Sequence, residues 1–366
     1  MLEGIESRLT FLDRFGHPID VLGRVTIDQF GGNHRSFSTS LTSIIIISAE
    51  RSDQTSACVE SIFDHTKKPF EIIISDVGSS RETQELLHAL EDEHPNLHVI
   101  YNKESSGTTG QRNQDIHLSK GGYLVFMDND VLVLPNWLDP LQQRAQSDSR
   151  IGMVGAKLLT SDGQDVYYCG IHTITLEKYG NVYGIGLDKS GQKANLSRHD
   201  PLASIEGRVP WYTTTTLLAK REVIYGFGGF DDIVGGKGIF IANEDKDLSL
   251  SCRQAGFSIH YCTLSEVIHN HDYRKVDRSD KYHSTYRLRM EQIAKDTSYF
   301  VSKWNIKYMI EKLPHEDNTK EWRGSVGDRG SECHGEDKQQ LQPVKLNLAS
   351  PDLSRDIVTV ETLKTQ

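Results

Sequence analysis

Between Ser43 and Asp128 the chain alternates apolar, strand-like runs with amphipathic, helix-like ones, and that rhythm restricts its fold more than any other feature of the 366 residues. SIIIIS (43–48) is a short β-branched run bounded by polar residues, as expected of a strand buried on both faces. DQTSACVESIFDHT then places Val59, Ile62 and Phe63 at helical spacing, and FEIIIS (70–75) follows Pro69 as a second strand. SSRETQELLHALEDEH reads as a helix, LHVIYN as a strand, GTTGQRNQDIHLSKG as a loop leading into a helix, and YLVFM (123–127) as the next strand. This alternation predicts an α/β fold: a mainly parallel twisted sheet with helices on both faces. Ligands of such sheets bind outside the carboxyl ends of the strands. Ser48, Asp76, Gly107, Asp128 and Asp130 are therefore expected along one edge.

Beyond residue 150 the pieces shorten to IGMVGAKLL, VYYCGIHTITL and WYTTTTLLAKREV, followed by a Gly-rich loop and the helix-like NEDKDLSLSCRQAGF. Mixed strands and one helix closing against the first half predict one fused domain over 43–275. Residues 1–42 read as an N-terminal extension, 276–314 as a C-terminal helical segment, and 315–366 as a polar tail too poor in apolar residues to order itself.

A net charge of −10, with no block of lysines and arginines, argues against nucleic acid as a partner. The five cysteines contain no CxxC pair, so neither a zinc knuckle nor a disulfide framework is expected, and a reducing cytoplasm fits best. No apolar window approaches the roughly 20 residues of a membrane span, and MLEGIESRLT does not read as a secretory signal. The reading is a cytoplasmic protein without a transmembrane segment, with peripheral association at the inner face of a membrane left open.

In YLVFMDNDVLVLPNWL a buried strand runs into Asp128 and Asp130, separated only by Asn129. Side chains two apart in extended chain point the same way, so the two carboxylates repel unless a cation lies between them. Hard oxygen ligands suit Mg²⁺ or Mn²⁺ held together with substrate phosphates; an acidic turn capping the strand is the plainer alternative. Asp76, at the end of FEIIIS, is placed either to accept from a ribose or base or to cap the next helix. GTTGQRN lacks the P-loop pattern, yet Gly107 permits close backbone approach, and Arg112 offers a fork to phosphate or a partner for a strand-end acid such as Asp76.

Glu244, Asp245 and Asp247 open the NEDKDL helix, where acids favour the helix dipole and where one acid could also act as a general base. In EVIHNHD, His269 and His271 alternate, so either could reach a metal beside the aspartates.

In order and spacing, SIIII, FEIIISDVGSS, NKESSGTTGQRNQDI, GGYLVFMDND with PNWL, IGMVGAKLLTSDG, TTLLAKREV, FGGFDD, NEDKDLSLSCRQAGF and VIHNHD resemble the family 2 glycosyltransferases, the inverting GT-A type, over roughly residues 43–275. The resemblance implies the GT-A (nucleotide-diphospho-sugar transferase) fold and a nucleotide-sugar donor. It implies Asp76 near the base or ribose, with Ser48, Glu50, Gly107, Arg112, Asp128 and Asn129 lining the donor site. It implies a DxD metal motif in which Asp130 is the first ligand, with Asp128 beside it and His269, or alternatively His271, completing the set. Asp245 matches the acid of the family's ED motif, the expected base, with Glu244 as fallback. The chain departs from the family pattern at ISAE (47–50) after the first strand, and at Arg81, where a further aspartate is common.

The expected function is transfer of a sugar from a UDP- or dTDP-sugar to a hydroxyl on a saccharide, lipid-linked or protein acceptor, with Mn²⁺ or Mg²⁺, in polysaccharide or glycan assembly. The alternatives are a sugar nucleotidyltransferase, disfavoured because SAERSD has no glycine, and a non-catalytic glycan- or nucleotide-binding relative of the same fold.

Overall fold

Consecutive isoleucines point to alternate faces of a strand, so a run of them demands cover on both sides. In the computed structural model Ile44, Ile45 and Ile46 are at most 1% exposed. The structure describes residues 38–102, 107–176, 181–186, 196–209, 211–234, 243–270 and 290–304, together with the paired dipeptides Phe11–Leu12 and Pro18–Ile19. The expected tail over 315–366, most of the expected N-terminal extension, and His271 lie outside these residues.

Strand β1 (Ser38–Ser48) begins ahead of the expected residue 43. After it come α1 (Ser52–His65), β2 (Phe70–Val77), α2 (Arg81–Glu93), β3 (Leu97–Asn102), α3 (Gly107–Leu118) and β4 (Gly121–Asp128). Strands β3, β2, β1 and β4 are neighbours in that spatial order, every pair parallel. The helical crossovers are what a parallel connection needs. Each helix turns an apolar face inward, with Cys58, Val59 and Ile62 of α1 and Leu87 and Leu90 of α2 joining the core.

The second half comprises β5 (Val131–Val133), α4 (Leu138–Gln146), β6 (Ile151–Leu159), β7 (Val166–Tyr168), β8 (Ile171–Leu176), β9 (Asn181–Gly186), β10 (Gly207–Val209), β11 (Thr216–Lys220), α5 (Arg221–Gly226), α6 (Glu244–Gln254), β12 (Ser258–His269) and α7 (Met290–Lys303). Here the sheet is mixed. Strand β11 runs antiparallel between β4 and β6, while β6 and β12 are parallel. The full path is β10-β12-β6-β11-β4-β1-β2-β3, with β5 on β12 and β7 on β6; β8 and β9 form a separate hairpin.

Register gathers the site. Ser48 lies opposite Asp76, and Ile47 opposite Asp128, so three parallel strands end together. Because β11 is antiparallel, with Thr216 opposite Met127, it starts at the edge where β4 ends. Strand β12 finishes there too: His269 pairs with Val131, next in sequence to Asp130. The PNWL loop after β5 is anchored by Trp137, fully buried, whose indole N–H donates to Thr66 Oγ1 at 3.0 Å. Gly155 of β6 meets Tyr212 face on, leaving no room there for a Cβ. The Tyr212 hydroxyl donates to the Ala156 carbonyl, which fixes the ring one residue before the threonines described below.

Candidate active site

The β4–β5 turn and the end of β12 bring Asp128, Asp130 and His269 together, one ligand atom from each lying within 4.8 Å of the others. Two backbone contacts hold this corner. The Asp128 N–H donates to the Thr215 carbonyl at 3.1 Å, and the Asn270 N–H to the Asp130 carbonyl at 2.8 Å. His269 Nε2 stands 3.1 Å from Asp130 Oδ1, and Tyr167 packs edge-on against the imidazole. Burial raises the Asp128 carboxyl above the ordinary range, and the Asp130 charge raises it further, with His269 and Arg112 partly offsetting both and Asp245 adding to the rise. Two hard carboxylates and an imidazole so placed are a donor set suited to a small divalent cation. The repulsion read from the sequence is thus present in the fold, and a cation would relieve it.

Arg112 projects from α3 and is 6% exposed. Its guanidinium faces Asp128 at 3.9 Å and Glu244 at 3.8 Å and lies over the Phe230 ring. The partner suggested from sequence, Asp76, is not the one it meets. Asp76 is fully buried, its carboxylate accepting from the Ser79 N–H at 3.3 Å and from Gln84 Nε2 at 3.0 Å. The capping role at α2 falls to Ser80, which accepts from the Thr83 N–H. Glu50 joins the same helix end, taking hydrogen bonds from the Ser80 N–H, the Ser80 hydroxyl and the Thr83 hydroxyl. Ser48 is buried against Thr55 Oγ1, which also accepts from Asn129 Nδ2 at 2.9 Å, tying the end of β1 to the DND turn through α1. Gly107 opens α3 with φ of 86°, a backbone conformation natural to glycine.

Opposite the DND turn, the first turn of α6 presents Glu244 and Asp245, and the two acids differ. Glu244 is buried, and that burial, helped by the Asp245 charge and opposed by Arg112, pushes its carboxyl up to about 7. Asp245 is partly exposed and is gripped by its neighbours across the sheet edge. Oδ1 accepts from the Thr214 hydroxyl at 2.6 Å and the Thr214 N–H at 3.2 Å, while Oδ2 accepts from the Thr213 hydroxyl at 3.0 Å. These contacts hold the Asp245 carboxylate in one orientation. Thr213–Thr215 therefore join the two sides of the site, holding Asp245 by side chains and Asp128 by a backbone carbonyl. In sequence TTTT announces only a β-branched strand, because the carboxylate it serves lies some thirty positions away. The structure thus brings Asp128, Asp130, His269, Arg112, Glu244 and Asp245 to one edge, where Glu50 and Asp76 also hydrogen-bond to the start of α2.

A mixed α/β sheet flanked by helices, with acids gathered at its carboxyl edge, is consistent with the GT-A fold that the sequence resemblance implied. Residues 43–201 match the model of glycosyl transferase family 2. The match takes in the parallel strands, the DND turn and β6. The chain is 22% identical over 221 residues to the glycosyltransferase AglE of Haloferax volcanii, covering 60% of this chain and 63% of the relative. Over 90 residues it is 36% identical to the Escherichia coli UDP-Glc:α-D-GlcNAc-diphosphoundecaprenol β-1,3-glucosyltransferase WfaP, covering 25% of this chain and 35% of that one. The first curated relatives it matches are spanned over 28% to 63% of their lengths. Among solved structures it is similar to GalNAc-T7 with UDP, GalNAc and Mn²⁺, at a TM-score of 0.48 and 17% identity, covering 64% of this chain and 44% of that one, a likeness too low to argue from. Among the described residues no helix is long and apolar enough to cross a membrane.

Proposed function

We propose that the protein is an inverting glycosyltransferase that uses a divalent cation, Mn²⁺ or Mg²⁺, and moves a sugar from a UDP- or dTDP-linked donor to an acceptor hydroxyl in glycan or polysaccharide assembly. The observation that carries this reading is the convergence of Asp128, Asp130 and His269 on one point, with Asp245 near enough to add to the rise of the Asp128 carboxyl. The family match over residues 43–201 supports glycosyl transfer, and the similarity to a UDP-glucose enzyme supports a UDP-sugar over other donors.

Asp130, Asp128 and His269 would hold the cation, whose chemistry when bound is to offset charge on the departing diphosphate. Asp245, aimed by Thr213 and Thr214, takes the proton from the acceptor hydroxyl. The acceptor oxygen then forms its bond to the anomeric carbon as the bond to the diphosphate oxygen breaks, and the electron pair leaves with the diphosphate. One displacement inverts the configuration. Glu244, buried against Arg112, is less suited to reach an acceptor and serves to hold the guanidinium beside Asp128.

The test is purified protein with Mn²⁺ or Mg²⁺ and a panel of nucleotide sugars, followed by calorimetry and donor hydrolysis. Cation-dependent binding of UDP or dTDP is expected, and Asp130→Ala should abolish it while leaving the apo protein as stable as before or more so. Absence of both nucleotide binding and hydrolysis across the panel would sink the reading.

A further inference from the structure

The first turn of α6 is held from three directions, and α7 supplies one of them although it lies beyond the family-matched residues. Thr213 and Thr214 hold Asp245, Arg112 faces Glu244, and α7 with the adjoining Trp304 takes Asn243 before this pair and Asp247 after it. Asp296, 3% exposed, accepts from the Asn243 N–H at 3.3 Å and from Asn243 Nδ2 at 3.2 Å. Lys303 Nζ reaches Asp247 Oδ1 at 2.8 Å, and the Trp304 indole N–H donates to the same oxygen at 2.7 Å.

The grip closes into a circuit. Lys303 Nζ also bonds Asp231 Oδ2 at 2.8 Å, and the Tyr299 hydroxyl donates to that oxygen at 3.0 Å. Asp231 belongs to the FGGFDD loop, whose other side is pinned by Asn113: its Nδ2 donates to the Phe230 carbonyl at 2.9 Å and to Asp232 Oδ1 at 2.6 Å, and its Oδ1 accepts from the Phe230 N–H. Asn113 follows Arg112 on α3. The residue that faces Asp128 and the helix end that presents Asp245 are thus linked through one loop and one lysine.

Helix α6 does not need this clamp merely to begin. Asn243 makes no side-chain cap on its own helix, so its amide is directed to α7 instead. Three acids in one turn are favoured by the helix dipole but repel one another. A lysine on Asp247 offsets part of that repulsion and keeps the turn from rotating Asp245 away from the threonines. Orientation on this scale matters, because a shift of about 1 Å at a reacting group can cost on the order of 100-fold in rate.

We propose that Lys303, supported by Trp304 and Asp296, is a positioning residue that sets the first turn of α6 and through it the Asp245 carboxylate. The inference rests on Asp245 being the base. The test compares full-length wild type, Lys303→Met and Lys303→Arg with Mn²⁺ and whichever UDP- or dTDP-sugar the wild type hydrolyses. The Met variant should lose about 10- to 100-fold in kcat with donor KM and UDP affinity within about twofold of wild type. Amide exchange should quicken over 244–248 and stay unchanged over Ile44–Ile47, and the Arg variant should recover most of the rate. Unchanged kcat and exchange in Lys303→Met overturn the clamp alone. Loss of UDP affinity or of global melting temperature in step with kcat also overturns it, by making Lys303 a general structural residue. A wild type that neither binds nucleotide nor hydrolyses any donor refutes the proposed function instead, and with it the role of Asp245.

Discussion

The two halves of the sheet hold their site residues by different means. On the parallel side, Ser48, Asp76 and Asp128 reach the edge because β1, β2 and β4 share a register, held by a ladder of backbone hydrogen bonds between buried strands. On the mixed side, Asp245 is placed by two threonine hydroxyls, Asp247 by a lysine and an indole, and the FGGFDD loop by one asparagine amide. A ladder distributes its constraint over many residues. A side-chain network concentrates it in a few, so single substitutions should hurt function most on the mixed side, and charge changes on the parallel side should register chiefly in stability.

The largest expected effect is on the mixed side. Asp245→Asn keeps the size of the side chain but removes the proton acceptor, and should lower kcat by about 10²- to 10⁴-fold. UDP binding with Mn²⁺, followed by calorimetry, should persist. Equal loss of binding and turnover would show that the acid belongs to the donor site and would erase the division between the halves.

The next concerns α3, packed against the parallel strands. Asp115 is buried there, where the Ser75 hydroxyl donates to it at 2.6 Å, and burial pushes its carboxyl up to about 7, against the lowering effects of Ser75 and Arg112. A raised carboxyl pKa favours the protonated native state, so this group's contribution is fully present below its unfolded value near 4 and is lost as pH rises to about 7. Asp115→Asn keeps an acceptor for Ser75 and has no charge to bury. Relative to wild type it should gain on the order of 2–3 kcal/mol in stability between pH 5 and pH 8, read from denaturant midpoints at each pH. A constant difference across that range would mean that the carboxylate is solvated.

The smallest sits where the halves join. In Gly155→Ala the new methyl would collide with the Tyr212 ring, which is fully buried, and the variant should lose about 2 kcal/mol, visible as a lower melting temperature. Because Tyr212 precedes Thr213, turnover should fall beyond what the loss of folded protein explains. Activity in proportion to folded protein would mean that the threonines are insulated from the ring.

Legibility in the sequence follows the same divide. The four isoleucines, the FEIIIS run and the YLVFM run marked the parallel strands because burial on both faces leaves an unmistakable apolar pattern. The DND turn was conspicuous because acids beside a buried strand need a reason. The antiparallel insertion of β11 was not legible: a β-branched run looks the same whichever way its neighbours point. Nor were the hydrogen bonds of Glu50 and Asp76 to the start of α2, since a carboxylate at a strand end reads alike whatever polar group it meets.

By itself, then, the sequence determined the layered α/β sheet, the edge where its parallel strands end, and the chemical types gathered there, since periodicity and residue chemistry are local properties. Tertiary structure alone decided that Arg112 faces Asp128 and Glu244 rather than Asp76, that two threonines orient one acid, and that Lys303, from beyond residue 275, closes on Asp247. Those pairings join residues on different elements of the chain, and the energy of each depends on burial and on geometry within a few tenths of an ångström. No periodicity encodes that.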